Sequence, residues 1–145
     1  MIKRNFWKNK RVLITGHTGF KGGWLTVWMN MLGAKVSGYS INPIPKKNFF
    51  QSTGLKDKIV NDYRKNIQDY KSLNECIKKI KPEIIFHLAA QPQVLESYND
   101  PVNTIQSNIN GTVNLLEAIR GKRYVKALIN ITTDKVYKNL NKNIK

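Results

Sequence analysis

Apolar and polar positions along the 145-residue chain fall into blocks that read alternately as strands and helices. Arg11-Val12-Leu13-Ile14-Thr15 is a short apolar run closed by Gly16, the pattern of a buried strand. From Phe20 the period changes. Trp24, Leu25, Trp28, Met29 and Leu32 recur at three- and four-residue spacing, which predicts a helix over 20–32 that Gly33 stops. Trp24 and Trp28 share one face of it and are expected to pack into the core. Lys35-Val36-Ser37-Gly38-Tyr39 reads as a second strand, followed by a Pro-bearing loop over 42–47 and a weak strand over 58–61. Residues 69–80 form an amphipathic helix closed by Lys81-Pro82, with Cys76 as a packing residue. Residues 83–90 are apolar on both faces, as a central parallel strand requires. Asp100 suits an N-cap and Pro101 a first helical position, so a long helix is expected from there to about Arg120. A further strand follows over 126–131. Strands alternating with helices imply βαβ units: a parallel sheet covered by helices, an α/β class.

Composition narrows the classes. With 41% hydrophobic residues and a length near that of one domain, the chain is globular. One Cys excludes a disulfide framework and a Cys-rich zinc module and suits a reducing, cytoplasmic setting. Two His and no clustered acids give no metal site. No apolar run approaches the ~18–20 residues of a membrane span, and the basic N-terminus lacks the apolar core of a secretory signal. The charge of +16, from 25 Lys plus Arg against 9 Asp plus Glu, invites a nucleic-acid reading. The basic residues are scattered through loops and helix ends, however, and none falls between Pro82 and Ile119. Without a basic face or a known module, neither a nucleic-acid nor a membrane partner is expected.

Chemistry concentrates between the first strand and the first helix, where Gly16, Gly19 and Gly22 are three residues apart. In such a turn the first glycine permits the bend, the second lets backbone approach a pyrophosphate at the positive helix end, and the third allows close helix–strand packing. The strand-turn-helix context makes this a dinucleotide site in a Rossmann-like, doubly wound sheet. The wording resembles the extended short-chain dehydrogenase/reductases, and within them the CDP-glucose 4,6-dehydratases. The resemblance rests on Phe6-Trp7-Lys8, on 12–22, on His87-Leu88-Ala89-Ala90-Gln91-Pro92, on Ser97-Tyr98, Asp100-Pro101-Val102 and Asn108, on 111–118, and on Thr132-Thr133-Asp134-Lys135. It implies an NAD-type cofactor held by Gly16, Thr18, Gly19, Phe20, Lys21 and Gly22. Asn42, Asn66, Ile67, Leu88, Ala89, Ala90, Ser107 and Thr132 are the further cofactor contacts it implies. The acid expected after the second strand to hold a ribose 2′-hydroxyl is absent. Tyr39-Ser40-Ile41-Asn42 stands there, with Lys46 and Lys47 nearby, so NADP stays open beside NAD.

The resemblance also implies a reaction: transient oxidation of a nucleotide sugar at C4, deprotonation at C5 and loss of the C6 hydroxyl, giving a 4-keto-6-deoxy sugar for surface polysaccharide. Thr133 would bond the 4-oxygen, Asp134 would protonate the leaving hydroxyl, and Lys135 stands where relatives place a Glu base. An ammonium serves as a base only when its pKa is depressed. His87 closes a strand and reads as a satisfied core residue rather than a base. Gln93, Leu95 and Glu96 depart from the family's more basic stretch. The superfamily's Tyr-x-x-x-Lys pair is missing, because the residues four beyond the six tyrosines are Pro43, Ile67, Asn74, Val102, Leu128 and Asn141. The expected organisation is therefore an incomplete dinucleotide-binding domain over 1–137, truncated after about the fifth strand, a polar tail over 138–145, and no sugar-nucleotide domain. Such a chain is expected to be inactive alone. Open beside it stand an NAD-binding remnant, a split-gene subunit, a UDP-sugar dehydratase or epimerase relative, and pairing as a homodimer.

Overall fold

The computed structural model describes residues 4–43 and 48–133. Five parallel strands form one sheet in the order β3-β2-β1-β4-β5: β1 Arg11–Thr15, β2 Lys35–Ser40, β3 Asn61–Arg64, β4 Ile84–His87 and β5 Ala127–Asn130. This is the Rossmann-like doubly wound sheet the sequence predicts. The order reverses beside β1, and in open α/β sheets ligands bind at such a switch point, outside the carboxyl ends of the strands.

The helices follow from local chemistry. A short α1 (Arg4–Trp7) precedes the sheet, and α2 (Phe20–Met31) crosses from β1 to β2, ending at Gly33 with φ +84°. Between β2 and β3 lie α3 (Phe49–Ser52), capped by the Asn48 side chain, and a 3₁₀ turn over Leu55–Lys58. The Asp69 side chain accepts from the Ser72 amide and starts α4 (Tyr70–Ile80), whose Leu73, Cys76, Ile77 and Ile80 are buried. After β4 come α5 (Val94–Asn99), α6 (Pro101–Ile105), a π-helical turn over Gln106–Asn110, and α7 (Gly111–Ile119). Asp100 caps α6 as expected, its carboxylate accepting from the Asn103 amide at 3.0 Å.

Two cores flank the sheet. Leu13, Tyr39, Leu73, Ile77, Ile85 and Leu115 are wholly buried on the α4/α7 side, while Val12, Ile14, Met29, Val36 and Ile84 pack under α2. Burial in the first of these pushes the Cys76 thiol pKa up to about 12, so it behaves as a small apolar side chain. Ile77→Ala, which empties a wholly buried position in that core, is expected to lower unfolding free energy by about 2–5 kcal/mol, read from the urea midpoint.

Four expectations are corrected. The weak strand at 58–61 instead pairs as Asn61–Arg64, with Asp62 opposite Gly38, leaving Val60 exposed. The strand at 83–90 runs only over Ile84–His87: the Leu88 amide still donates to the Thr15 carbonyl at 3.1 Å and shares its hydroxyl at 3.2 Å, and the Ala89 amide turns to that hydroxyl at 3.2 Å. The long helix after Asp100 carries the π turn, and α5 was not foreseen. Trp24 and Trp28 are not core residues: they are 52% and 48% exposed, and Trp24 stacks on Phe49 instead. The buried face of α2 is Gly22, Gly23, Thr26 and Met29, mostly small side chains that let the helix lie close to the sheet.

Candidate functional site

The carboxyl edge of the sheet gathers most of the residues singled out from the sequence. β1 ends at Thr15 and Gly16 turns the chain with φ +75°, its amide donating to the Tyr39 carbonyl at 2.9 Å. The Gly19 amide returns to the Gly16 carbonyl at 3.0 Å and Gly19 caps α2 in an extended conformation. A side chain at Gly22 would sit 2.2 Å from the Gly16 carbonyl oxygen, so the turn closes only because that position is bare. Thr18 ties the loop to the end of β2 through the Ser40 hydroxyl at 2.8 Å and the Ile41 carbonyl at 3.3 Å.

Helix geometry leaves the amides of Phe20, Lys21 and Gly22 without intrahelical acceptors. The first turn of α2 carries no acid, and Lys21 is exposed on it. Gly19 is exposed too, and a Cβ there would meet only the Gly16 carbonyl oxygen, at 3.3 Å. Bare backbone, free amides and the positive helix end converge on open space, an arrangement that fits a pyrophosphate. Phe20, 70% exposed, stands at its rim.

The opposite wall is fixed by a chain of hydrogen bonds. The Thr15 hydroxyl accepts from the Leu88 and Ala89 amides, so its proton goes to His87 Nδ1 at 2.6 Å. That leaves Nε2–H of a neutral imidazole to donate to Thr112 at 3.1 Å, and Thr112 donates to the Asn108 carbonyl at 2.8 Å. Burial lowers the His87 pKa to about 4. His87 is a structural tie between β1, β4 and the helix after β4, as expected from the sequence. Leu88 and Ala89 are half-buried and Ala90 is exposed, just beyond the carboxyl end of β4.

The turn after β3 is equally held. The Asn114 side chain donates to the carbonyls of Ile67 and Gln68 at 3.2 and 3.0 Å, and Tyr39 donates to the Asn66 carbonyl at 3.1 Å. Asn66 is exposed at the edge, whereas the Ile67 side chain is buried against Gly111 and Leu73, so its backbone alone reaches the site. Ser107, on the π turn, accepts from the Gln68 amide group at 2.8 Å. Gln91 and Asn108 exchange two bonds, at 2.7 and 3.0 Å, that fix the loop after β4. Thr132 and Thr133 leave β5 exposed beside that loop, the Ile131 amide still donating to the His87 carbonyl at 3.0 Å. Asp134 and Lys135, and Lys46 and Lys47, lie outside the described residues.

One cluster was not anticipated. At the ends of β2 and β3 a cavity of about 570 Å³ is lined by Asn42, Pro43, Phe50, Lys56, Asp57, Asp62 and Arg64, among others. Asp62 accepts from the buried His17 ring at 2.9 Å and from Arg64 Nε at 2.7 Å, and Arg64 lies over the Phe50 ring at 4.5 Å. Burial pulls the His17 pKa below its usual value, against the pull of Asp62. The signal that finds this cluster is the two-residue alternation of Asp62 and Arg64, which puts both on one face of β3. Among the described residues no group of His, Cys, Asp and Glu is placed to hold a metal, and no helix is long and apolar enough to cross a membrane.

Comparison with known proteins agrees with this geometry. The GDP-mannose 4,6 dehydratase family matches residues 13–144. The chain belongs to that family. It is 45% identical over 139 residues to the CDP-glucose 4,6-dehydratase of Salmonella typhimurium, an alignment covering 96% of this chain and 38% of that protein. The chain thus spans well under half the length of the curated relatives it matches. A UDP-glucose-4-epimerase from Stenotrophomonas maltophila, solved with bound NAD and formylated UDP-arabinopyranose, shares the fold: TM-score 0.76, 22% identity, covering 95% of this chain and 40% of that one. The UDP-glucose 4-epimerase of Thermus thermophilus, solved as a complex with NAD, is 28% identical with TM-score 0.64, covering 77% of this chain and 34% of that one.

Proposed function

We propose that the chain is the dinucleotide-binding part of a nucleotide-sugar 4,6-dehydratase acting on CDP-glucose, with the domain spanning 1–137. The observation that carries this is the start of α2, where bare glycine backbone and free amides meet open space next to the end of β2. NAD bound there supplies a hydride acceptor. The chain's own residues act on it as follows. The Phe20, Lys21 and Gly22 amides, with Lys21, hold the pyrophosphate. Asn42 borders the adenosine ribose, Asn66 and the Ile67 backbone border the adenine, and Leu88-Ala89-Ala90 line the far side. Thr132 would contact the cofactor and Thr133 would bond the sugar C4 oxygen, with Asp134 and Lys135 next along the chain. The 45% identity to a CDP-glucose 4,6-dehydratase supports this substrate over other nucleotide sugars.

No tyrosine of the 145 residues has a lysine four positions on, so these residues by themselves supply no Tyr–Lys pair to take the C4 hydroxyl proton. Incubated with CDP-glucose and NAD, the purified chain is expected to yield no 4-keto product while binding NAD saturably. Formation of keto sugar, followed by its alkaline absorbance, would refute the inactivity. Absence of saturable NAD binding would refute the site.

A further inference from the structure

His17 lies inside the glycine turn, between Gly16 and Gly19, yet its side chain is wholly buried. β2 makes room for it. Gly38 sits within that strand, paired with Ile14 on one side and Asp62 on the other. Its backbone is not left-handed, so conformation makes no demand for glycine there. Space does. A Cβ at Gly38 would fall 2.5 Å from His17 Nδ1 and closer still to Cγ and Cδ2 of the same ring. A glycine within a strand weakens it and marks a close approach, and here the approaching group is the His17 ring.

The ring is held on two further sides. Its Nε2 donates to Asp62 of β3 at 2.9 Å, and Phe50 of α3 meets it edge-on with ring centroids 5.3 Å apart. Asp62 is itself fixed, because Arg64 donates to both of its oxygens, at 2.7 and 2.9 Å. The next residue of the turn, Thr18, is tied to the end of β2 through Ser40 and Ile41. Two adjacent side chains thus anchor the turn to two strands.

The anchoring has a consequence for binding. Glycines at 16, 19 and 22 give this segment wide conformational freedom, and any freedom left in the folded chain must be given up when a ligand orders it. A turn already fixed holds the amides at the start of α2 in place beforehand.

We propose that His17 is a positioning residue for the phosphate-binding turn: seated in the space that Gly38 leaves and bonded to Asp62, its ring fixes the turn so that the first amides of α2 face the pyrophosphate of a dinucleotide. The inference rests on the dinucleotide reading above and gives His17 no contact with the ligand.

The test is a calorimetric titration with NAD, paired with a thermal melt, on the unsubstituted chain and on His17→Phe, His17→Gln, Asp62→Ala and the double variant His17→Phe/Asp62→Ala. Phenylalanine keeps a ring of similar volume and removes the bond to Asp62. NAD affinity should fall by about ten-fold while the melting temperature stays within about 5 °C. Glutamine keeps a donor for Asp62 and should bind NAD within about three-fold of the unsubstituted chain. Asp62→Ala breaks the same bond from its other end, so the double variant should lose less than the sum of the two single losses. A merely structural histidine would instead lower the melting temperature and leave the affinity of the folded protein unmoved. A folded His17→Phe that binds NAD as tightly as the unsubstituted chain overturns the proposal, as does a His17→Gln as weak as His17→Phe, or losses that add in full. If His17→Phe does not fold, Asp62→Ala is held to the same criterion: weaker binding at an unchanged melting temperature supports the proposal, and unchanged affinity overturns it. Failure of the unsubstituted chain to bind NAD removes the dinucleotide reading and the proposal with it, an outcome distinct from binding that His17 does not govern.

Discussion

Gly22→Ala is expected to abolish dinucleotide binding and to destabilise the fold together. The new Cβ would lie 2.2 Å from the Gly16 carbonyl oxygen, 2.8 Å from its carbonyl carbon and 2.9 Å from His17 Cα, all of them backbone. No rotamer relieves such a clash, so the turn or the start of α2 must shift. The cost is of the order of 3 kcal/mol, at the upper end for overpacking, and NAD affinity should fall by about 100-fold or more. Gly19→Ala separates the two effects. Its Cβ meets only the Gly16 carbonyl oxygen at 3.3 Å, so the variant should keep its melting temperature within a few degrees. It should still lose about ten-fold in affinity, because the methyl group stands where a ligand approaches the helix end. Thermal melts and NAD titrations of both variants check this. A Gly22→Ala protein with unchanged stability and affinity would show that the turn is looser than the structure has it.

The second large effect is acid destabilisation through His87. Its folded pKa is about 4 against an ordinary 6.5, with burial as the cause. A histidine whose folded pKa is depressed binds its proton more readily when unfolded. Its contribution is therefore complete above the unfolded value and is lost as pH falls from about 6.5 towards 4. The loss comes to about 2 kcal/mol between about pH 7 and pH 5, and about 3 kcal/mol near pH 4. That is a large share of the ~5–15 kcal/mol that holds a domain together. The His17 pKa is lowered as well and adds to the same trend. Urea midpoints at the two pH values, compared with His87→Gln, measure the share that belongs to His87. Glutamine takes up no proton and can still donate towards Thr112, so the variant should be less stable at neutral pH and visibly less acid-sensitive. A variant as acid-sensitive as the parent would mean that another group titrates.

How much of this was legible in the sequence follows from what each segment's pattern encodes. β1 and the glycine turn were readable because an apolar run ending in regularly spaced glycines has few other meanings. β4 was readable in kind but not in length: its apolar run continues to Ala90, and the Thr15 hydroxyl, 74 positions away, takes the Ala89 amide once Leu88 has made the last bond to the Thr15 carbonyl. β3 was misplaced by three residues because its polar side chains neutralise each other across the same face. Asp62 and Arg64 look like loop until paired, whereas Ile59 and Val60 look like strand. The tryptophans of α2 misled for a related reason. Spacing shows which residues share a face, yet it was the small residues Gly22, Gly23 and Thr26 that settled against the sheet and left Trp24 and Trp28 outward. The cofactor contacts named by resemblance fall along one edge of the sheet, except that the Ile67 side chain turns inward. The polar ties that position them, Thr15, Thr112, Asn108 and Asn114, lie in the stretches that carry the resemblance, but the bonds they make are not written there. They are defined by partners far along the chain, which only the folded arrangement reveals.

The central claim is that a dinucleotide binds at the start of α2. Amide chemical-shift mapping tests it most directly: the isotope-labelled chain is titrated with NAD and each backbone N–H is followed. Saturating shifts are expected at Gly19, Phe20, Lys21 and Gly22, with further shifts at Asn42, Asn66 and Ala89-Ala90, and none along the outer face of α4. Shifts that fail to saturate, or that leave the first turn of α2 unmoved, would contradict it.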